Sequence, residues 1–370
     1  MVKHFSRLIF VLICVLIYTN ASAQLNNSFF DIERTDTATG LITLHVDNLN
    51  YFRNVEYKTK IDEGRTLFGY QFWPEIAYQV STHVQVAGGV FLQRDFGGEG
   101  FVKNEPTFSF QYTNGRNQVR FGTLMGSMQH QLVEPLYDPE FIIDNRVENG
   151  FQYRHNSKNL AAEVWTDWRK MIYENSPFRE EFVSGIRVEP RLVKDVHYIS
   201  LPTSILGFHK GGEIDTSGLP TETQYNISTG FNYRFKPTAG IDSLDFQAHA
   251  IFYEDVSPTP INYIDGVGQY VSLAVYKKQW GLMLNYYDAH QFHNPIGDAL
   301  YRTVSVQNPN AYVFDYRKLI MARVFYQRPL GSNTHFLFRA TYARDLNQDT
   351  DDVVAEFYFR WTPKFVLGKA

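Results

Sequence analysis

Apolar and polar residues alternate along much of the chain with a period of two. In 225–236 the odd positions are mostly apolar and the even positions are small or polar; in 353–364, Phe357 and Phe359 stand on one side and Glu356 on the other. Because a β-strand turns successive side chains to opposite faces, this pattern predicts strands with one apolar and one polar face.

The alternation predicts about sixteen strands, and an even number is typical of bacterial outer-membrane barrels. Asn48 and Pro202 interrupt the first and ninth of them, and a proline removes a hydrogen-bond donor from the ladder. The predicted strands are 41–57, 65–80, 84–95, 102–113, 117–127, 150–156, 159–169, 181–189, 194–209, 223–236, 243–254, 267–277, 280–288, 311–327, 334–344 and 353–364.

Short links between these strands, such as 81–83 and 114–116, alternate with mostly longer ones, such as 96–101 and 128–149. Outer-membrane barrels have short periplasmic turns and long external loops in this order. The rhythm therefore predicts an all-β transmembrane antiparallel barrel over 39–370, with both chain ends in the periplasm. A soluble, secreted β-sandwich also alternates in this way and is the alternative fold.

The first residues have the pattern of an export signal. Lys3 and Arg7 precede the apolar run 8–18, and the small residues 21–23 follow it. We therefore predict a cleaved signal peptide over 1–23, an N-terminal periplasmic segment over 24–38, and export to the outer membrane. Cys14 lies in the removed part, so the mature chain has no thiol for disulfides or cysteine catalysis.

Composition and charge limit the classes of partner that the protein is expected to bind. The chain is 16% aromatic, and its formal charge of −4 becomes −6 once Lys3 and Arg7 are removed, which argues against a nucleic-acid partner. The expected partners are outer-membrane lipid and small polar solutes. No cofactor is expected.

Charged residues on the polar strand faces are expected to line the barrel. The connection 128–149 is acidic and also carries apolar residues that allow it to pack against the wall. The alternatives are that the charges pair and brace a filled lumen, or that this loop caps the outside. The candidate lining and constriction residues are Glu134, Asp138, Glu140, Asp144, Glu163, Arg120, Arg154, Arg187, Arg234, Arg323, Arg339 and Arg360.

Signals for metal binding and catalysis are weak. Oxygen ligands follow the spacing of a calcium loop at Asp345, Asn347, Asp349 and Asp351, but Thr350 stands where such a loop needs glycine. His290 and His293 have a metal-like interval without an evident third ligand. The G-x-S-x-G, H-E-x-x-H and phosphate-loop motifs are missing from the sequence. The sequence therefore favours a protein that is no enzyme.

Four segments resemble an uncharacterised outer-membrane β-barrel family of Bacteroidota: Val-Glu-Pro-Leu-Tyr-Asp at 133–138, Val-Glu-Asn-Gly-Phe-Gln at 147–152, His-Val-Asp-Asn at 45–48 and Asn-Val-Glu-Tyr at 54–57. This resemblance implies fold and location, without functional residues. The strand number resembles that of general diffusion porins, whose third external loop narrows the lumen and which are often trimers. The aromatic C-terminal strand resembles the signal read by the barrel-assembly machinery, which is a further expected partner.

Taken together, these features favour a porin-like channel for passive or weakly selective passage of small hydrophilic solutes, with 128–149 as the constriction and a homotrimer as a possible assembly. Two alternatives stay open. One is a non-conducting barrel whose loops bind a surface partner or polysaccharide. The other is a barrel lipid hydrolase, which requires Ser, His and an acid to converge on the outer wall.

Overall fold

The computed structural model describes residues 28–31, 38–192, 196–237, 239–260 and 262–370. Helical structure in these ranges consists of the one-turn helix α1 (Phe141–Asp144) and three short 3-10 turns, Ser28–Phe30, Ser127–His130 and Ala299–Tyr301. A helix with the length and apolar character of a membrane span does not occur in these ranges. The predicted signal peptide 1–23 and part of the segment 24–38 lie outside the described residues, so those boundaries stay predictions.

Strands make up most of the described chain. They are β1 (Leu41–Glu56), β2 (Arg65–Gln79), β3 (Val84–Asp95), β4 (Lys103–Asn114), β5 (Asn117–Thr123), β6 (Asn149–Asn156), β7 (Leu160–Lys170), β8 (Glu181–Pro190), β9 (His197–Ser200), β10 (Thr203–Lys210), β11 (Glu222–Phe235), β12 (Ser243–Asp255), β13 (Asp265–Lys277), β14 (Trp280–His290), β15 (Tyr316–Gly331), β16 (Thr334–Asp345), β17 (Thr350–Trp361) and β18 (Lys364–Lys369).

The sheet closes on itself. Strands pair antiparallel in chain order, and β1 pairs with β2 on one side and with β17 and β18 on the other. β9 and β10 both pair with β11 and share one wall position, and β17 and β18 share another. The eighteen described strands thus fill sixteen wall positions, which confirms the predicted fold class.

Some predicted strand bounds are wrong. The fifth strand ends at Thr123 instead of 127, because the amide of Leu124 donates to the carbonyl of Glu148 and the chain turns into the barrel. The ninth is broken at 201–202, where Pro202 has no amide hydrogen to donate. The fourteenth strand spans Tyr316–Gly331 instead of 311–327. The last strand, predicted at 353–364, begins at Thr350, and its wall position continues in β18.

The apolar faces point outward. On β2, Phe68 and Ile76 are 51% and 53% exposed, whereas Gln71 and Glu75 on the opposite face are buried. A barrel in lipid needs this arrangement, since its outer wall contacts hydrocarbon and its interior holds polar groups.

The interior is packed as well as polar. Three buried apolar clusters join wall residues to segments that lie inside the barrel. One contains Phe30, Ile142 and Tyr358; a second contains Leu136, Tyr287 and Tyr301; and a third contains Tyr137, Trp165 and Ile296. The barrel thus has a core made by its own connections.

Candidate functional site

The connection 128–149 crosses the lumen. His130, near its start, contacts Glu163 on β7 with an Nδ1–Oε1 distance of 3.0 Å, and Glu134 forms an ion pair with Arg323 on β15. β7 and β15 occupy the seventh and fourteenth of the sixteen wall positions, so they lie on nearly opposite sides of the barrel. We refer to residues 128–149 as the crossing loop.

The return half of the crossing loop is fixed to β1, β2 and β4. The Nε2 of Gln71 donates to the carbonyl of Ile142 at 3.0 Å, and Arg146 contacts Asp47 at 2.6 Å. The Nζ of Lys103 donates to the carbonyl of Asp144 at 2.5 Å. These contacts use backbone and charged groups together, so the loop is held over its whole length.

A second segment, between β14 and β15, packs against the crossing loop. Asn294 Nδ2 donates to the carbonyl of Pro135 at 2.8 Å, and the hydroxyl of Tyr301 donates to Glu134 Oε2 at 2.7 Å. Residues Phe29 and Phe30 pack against Tyr358 elsewhere in the lumen. At this level the lumen is occupied by protein.

The acids of the crossing loop have different surroundings. Burial would raise the pKa of Glu134, but the adjacent Arg323 guanidinium outweighs burial and lowers it. Burial, followed by the nearby carboxylates of Asp298 and Glu140, raises the pKa of Asp138 well above its usual range. Glu134 is therefore held charged, whereas Asp138 is driven towards its neutral form.

Glu140 and Asp144 lie at the β1–β2 side of the lumen. Arg53 Nη1 lies 3.2 Å from Glu140 Oε2, and Arg65 contacts both carboxylates, with 2.6 Å to Asp144. Arg65 is about half exposed, so this end of the crossing loop borders solvent.

Most candidate arginines of the wall are paired on its inner face. Each of these meets a carboxylate on its own or a neighbouring strand: Arg339 with Glu356, Arg234 with Asp245, Arg187 with Glu189, and Arg360 with Asp47. Arg120 differs, because this buried side chain has hydrogen bonds only to Gln111 in the described part of the chain, at 2.8 and 3.2 Å. Arg154 is also loosely held and contacts Gln129 at 3.3 Å.

A buried histidine clamp, which the sequence pattern did not indicate, holds the start of the crossing loop. His130 lies between Glu163 and Glu148, the latter at 2.7 Å from Nε2, and its ring stacks on Trp165 with centroids 3.9 Å apart. Burial would lower the pKa of His130, but the two carboxylates outweigh it and raise the pKa to about 10. This histidine is therefore an imidazolium that fixes the crossing loop, and neither ring nitrogen is available as a base.

The weak metal candidates do not converge. Asp345 pairs with Arg317, while Asp349 and Asp351 both contact Arg344. Asn347 donates its backbone amide to Asp345 Oδ1. Among the residues that the structure describes there is no group of three metal-ligating side chains, and His290 and His293 lie on different faces of the wall.

A different pair stands on the outer wall at the long-loop end. His209 on β10 and Thr223 on β11 are directly opposite each other, and their buried neighbours Phe208 and Gln224 point inward. Thr223 Oγ1 lies 2.9 Å from His209 Nδ1, and His209 Nε2 lies 2.7 Å from the carbonyl oxygen of Gly211.

These two contacts define the proton positions of the pair. A carbonyl oxygen can only accept, so Nε2 of His209 carries a hydrogen, and in the neutral ring Nδ1 then accepts the hydroxyl proton of Thr223. A hydroxyl, a base that accepts its proton, and a third group that orients the base constitute the arrangement of an activated nucleophile. We refer to Thr223, His209 and the Gly211 carbonyl as the outer relay.

Aromatic side chains extend from the outer relay along the wall. The ring of His209 packs on Phe182 at 4.9 Å, and Phe182 stacks on the partly exposed Trp168 at 5.0 Å. Aromatic girdles of barrels lie at the membrane interface. The outer relay therefore lies next to a row of aromatic side chains on the outer face of the wall.

Solved outer-membrane proteins have the same fold. OprD of Pseudomonas aeruginosa superimposes with a TM-score of 0.51 at 10% identity, over 91% of this chain and 98% of that chain. A loop L8 deletion mutant of OmpT from Vibrio cholerae gives 0.53 at 11% identity, over 88% and 100%, and the trimer form of OmpT gives 0.52 at 8% over the same shares. At these identities the likeness shows the fold, that of an outer-membrane porin-like barrel.

A family model described as "Lipid A 3'-O-deacylase-type" matches residues 32–370. A comparison with curated proteins gives no match. The resemblance to a porin-like outer-membrane barrel family is confirmed. The expectation that the protein is no enzyme is wrong, because the description of the matched family is that of a deacylase.

Proposed function

The chain belongs to the Lipid A 3'-O-deacylase-type family, and on this premise we propose that it is an outer-membrane ester hydrolase that removes an O-linked acyl chain from lipid A. The observation that carries the proposal is the outer relay, in which Thr223 Oγ1 lies 2.9 Å from an accepting nitrogen of His209. It faces the lipid, where an acylated glycolipid is held.

The outer relay suits a two-step hydrolysis. Nδ1 of His209 takes the proton of Thr223 as Oγ1 attacks the ester carbonyl carbon. The carbon–oxygen bond to the sugar then breaks, and His209 returns the proton to the departing sugar oxygen. Water next gives a proton to His209 and attacks the acyl-threonine, which releases the fatty acid and restores the Thr223 hydroxyl.

The Gly211 carbonyl positions the ring of His209 for this chemistry. It accepts the hydrogen of His209 Nε2 at 2.7 Å, which keeps the ring in the tautomer that leaves Nδ1 as a base. The same contact stabilises the imidazolium that forms when Nδ1 takes up the proton. A backbone carbonyl therefore does here what a carboxylate does in many hydrolases.

The outer wall suits a lipid substrate better than the lumen does. His130, the buried histidine of the lumen, is enclosed and donates through both ring nitrogens. At the outer relay, Trp168 and Phe182 offer an apolar surface against which an acyl chain packs. A glycolipid reaches this site by lateral diffusion without leaving the membrane.

Mass spectrometry of lipid A tests the proposal. The full chain, folded in detergent micelles, is incubated with purified lipid A, and folding is verified by heat-modifiable gel mobility. We expect lipid A to lose the mass of one ester-linked acyl chain, with release of the matching fatty acid and retention of amide-linked chains. Unchanged lipid A in the presence of folded protein would overturn the proposal.

Narrow passage of small polar solutes, in a monomer or a homotrimer, is the second candidate. The observation that favours it is that the crossing loop forms ion pairs with the wall: Glu134 pairs with Arg323, and Glu140 pairs with Arg53. Both pairs are buried, so under this proposal a path that opens past them is polar and selects by charge. Under this proposal the acids of the crossing loop and the wall arginines act as a constriction.

A further inference from the structure

A cavity of about 290 Å³ lies on the short-turn side of the crossing loop. Its wall comes from β4 to β8 and the turns that join them, and Gln131 of the crossing loop borders it. Since short turns are periplasmic in outer-membrane barrels, the cavity faces the periplasm. Four arginines line it, namely Arg116, Arg154, Arg187 and Arg191.

The acids near this cavity do not balance the arginines. Glu163 also lines it, but its carboxylate accepts from Gln152 at 2.6 Å and pairs with the His130 imidazolium at 3.0 Å. Arg154 approaches Glu163 no closer than 3.9 Å. The negative charge of Glu163 is thus already matched from the loop side.

The remaining acid is shared. Arg187 and Arg191 contact the same carboxylate oxygen of Glu189, at 2.8 and 3.6 Å, and the Nε atoms of both arginines have no acceptor among the described residues. Arg116 is exposed and forms no ion pair within the described part of the chain. The cavity therefore carries an excess of positive charge.

We propose that this cavity is a binding site for a small oxyanion that enters from the periplasm and carries a carboxylate or phosphate group. The planar fork of arginine matches both groups with two parallel hydrogen bonds, which a lysine cannot supply. The volume has room for about ten water-sized groups, at roughly 30 Å³ each. A compact acid or inorganic phosphate fits, whereas a lipid does not. This site is distinct from the outer relay in place and in ligand.

Isothermal titration calorimetry tests the site on the folded full chain in detergent micelles. Inorganic phosphate and succinate are titrated separately, so that the two arms distinguish phosphate from carboxylate binding. We expect saturable binding of at least one of them. Arg154→Gln and Arg187→Gln should each weaken the affinity at least tenfold, since each loses a charge-assisted pair of hydrogen bonds.

Two further variants sharpen the test. Arg328→Gln removes an exposed arginine of β15 outside the cavity and should leave the affinity unchanged. Arg154→Lys keeps the charge and loses the fork, so it should still weaken binding and replaces Arg154→Gln if that variant does not fold. The absence of saturable binding with either anion would overturn the proposal, as would an equal loss of affinity in Arg328→Gln.

Discussion

Glu134 and Arg323 form a buried ion pair inside the barrel, although 189 positions separate them in the sequence. The carboxylate belongs to the crossing loop and the guanidinium to the wall strand β15. The hydroxyl of Tyr301 donates to the same carboxylate at 2.7 Å. One side chain of the crossing loop thus joins the wall and the second lumen segment.

Removing the Arg323 guanidinium alone should destabilise the fold. Arg323→Met leaves the charge of Glu134 buried without a partner, so we expect the free energy of unfolding to fall by about 3–5 kcal/mol. The double variant Glu134→Gln with Arg323→Met should recover part of this loss. Urea unfolding in lipid vesicles measures both, and equal stability of Arg323→Met and the parent would contradict the prediction.

Gly185 makes room for the histidine clamp. A Cβ at this position would lie 2.1 Å from the ring of Trp165, so Gly185→Ala should displace the indole from its stack on His130. We expect a loss of about 1–3 kcal/mol and a changed near-ultraviolet circular dichroism spectrum. Gly88→Ala is the matched control, because its Cβ would meet no atom closer than 3.8 Å.

Stability should depend on pH through His130. Its pKa is raised from the ordinary 6.5 to about 10, so its protonation stabilises the fold fully below pH 6.5, and this contribution is lost as the pH rises through 10. The free energy of unfolding should therefore fall between pH 7 and 10 more steeply in the parent than in His130→Gln. If the free energy of unfolding falls equally steeply with pH in both proteins, His130 does not cause the pH dependence.

The crossing loop should control passage. Deletion of 134–144 removes Glu134, Glu140 and α1 from the lumen, so we expect planar-bilayer recordings to show a larger single-channel conductance than in the parent. Heat-modifiable gel mobility verifies that the deletion variant has folded as a barrel. An unchanged conductance in the folded deletion variant would refute the constriction.

The barrel itself could be predicted because its signals are local. Alternation and loop length depend on neighbouring residues, and the break at Pro202 follows from a missing amide hydrogen. The path of the crossing loop could not be predicted, since the contacts of His130 with Glu148 and Glu163 join elements whose approach is set by tertiary packing. Pairing between distant wall strands has no periodic signature.

The sequence contains a local signal for the outer relay. The predicted strand 194–209 ends at His209, and the predicted strand 223–236 begins at Thr223. When two such strands are joined at these ends and pair antiparallel, His209 lies opposite Thr223. Whether the two side chains point out of the barrel or into it is harder to predict, because a shift of one residue turns every side chain of a strand to the other side.

The most direct measurement compares the rates of acyl release from lipid A by the parent, His209→Ala and His197→Ala. His197 lies at the other end of the same wall position and also contacts a hydroxyl, that of Tyr233 at 2.7 Å. We predict a fall of at least about 100-fold in His209→Ala, the lower range for loss of a catalytic base, and the parental rate in His197→Ala. Parental rates in both variants would contradict the assignment of catalysis to the outer relay.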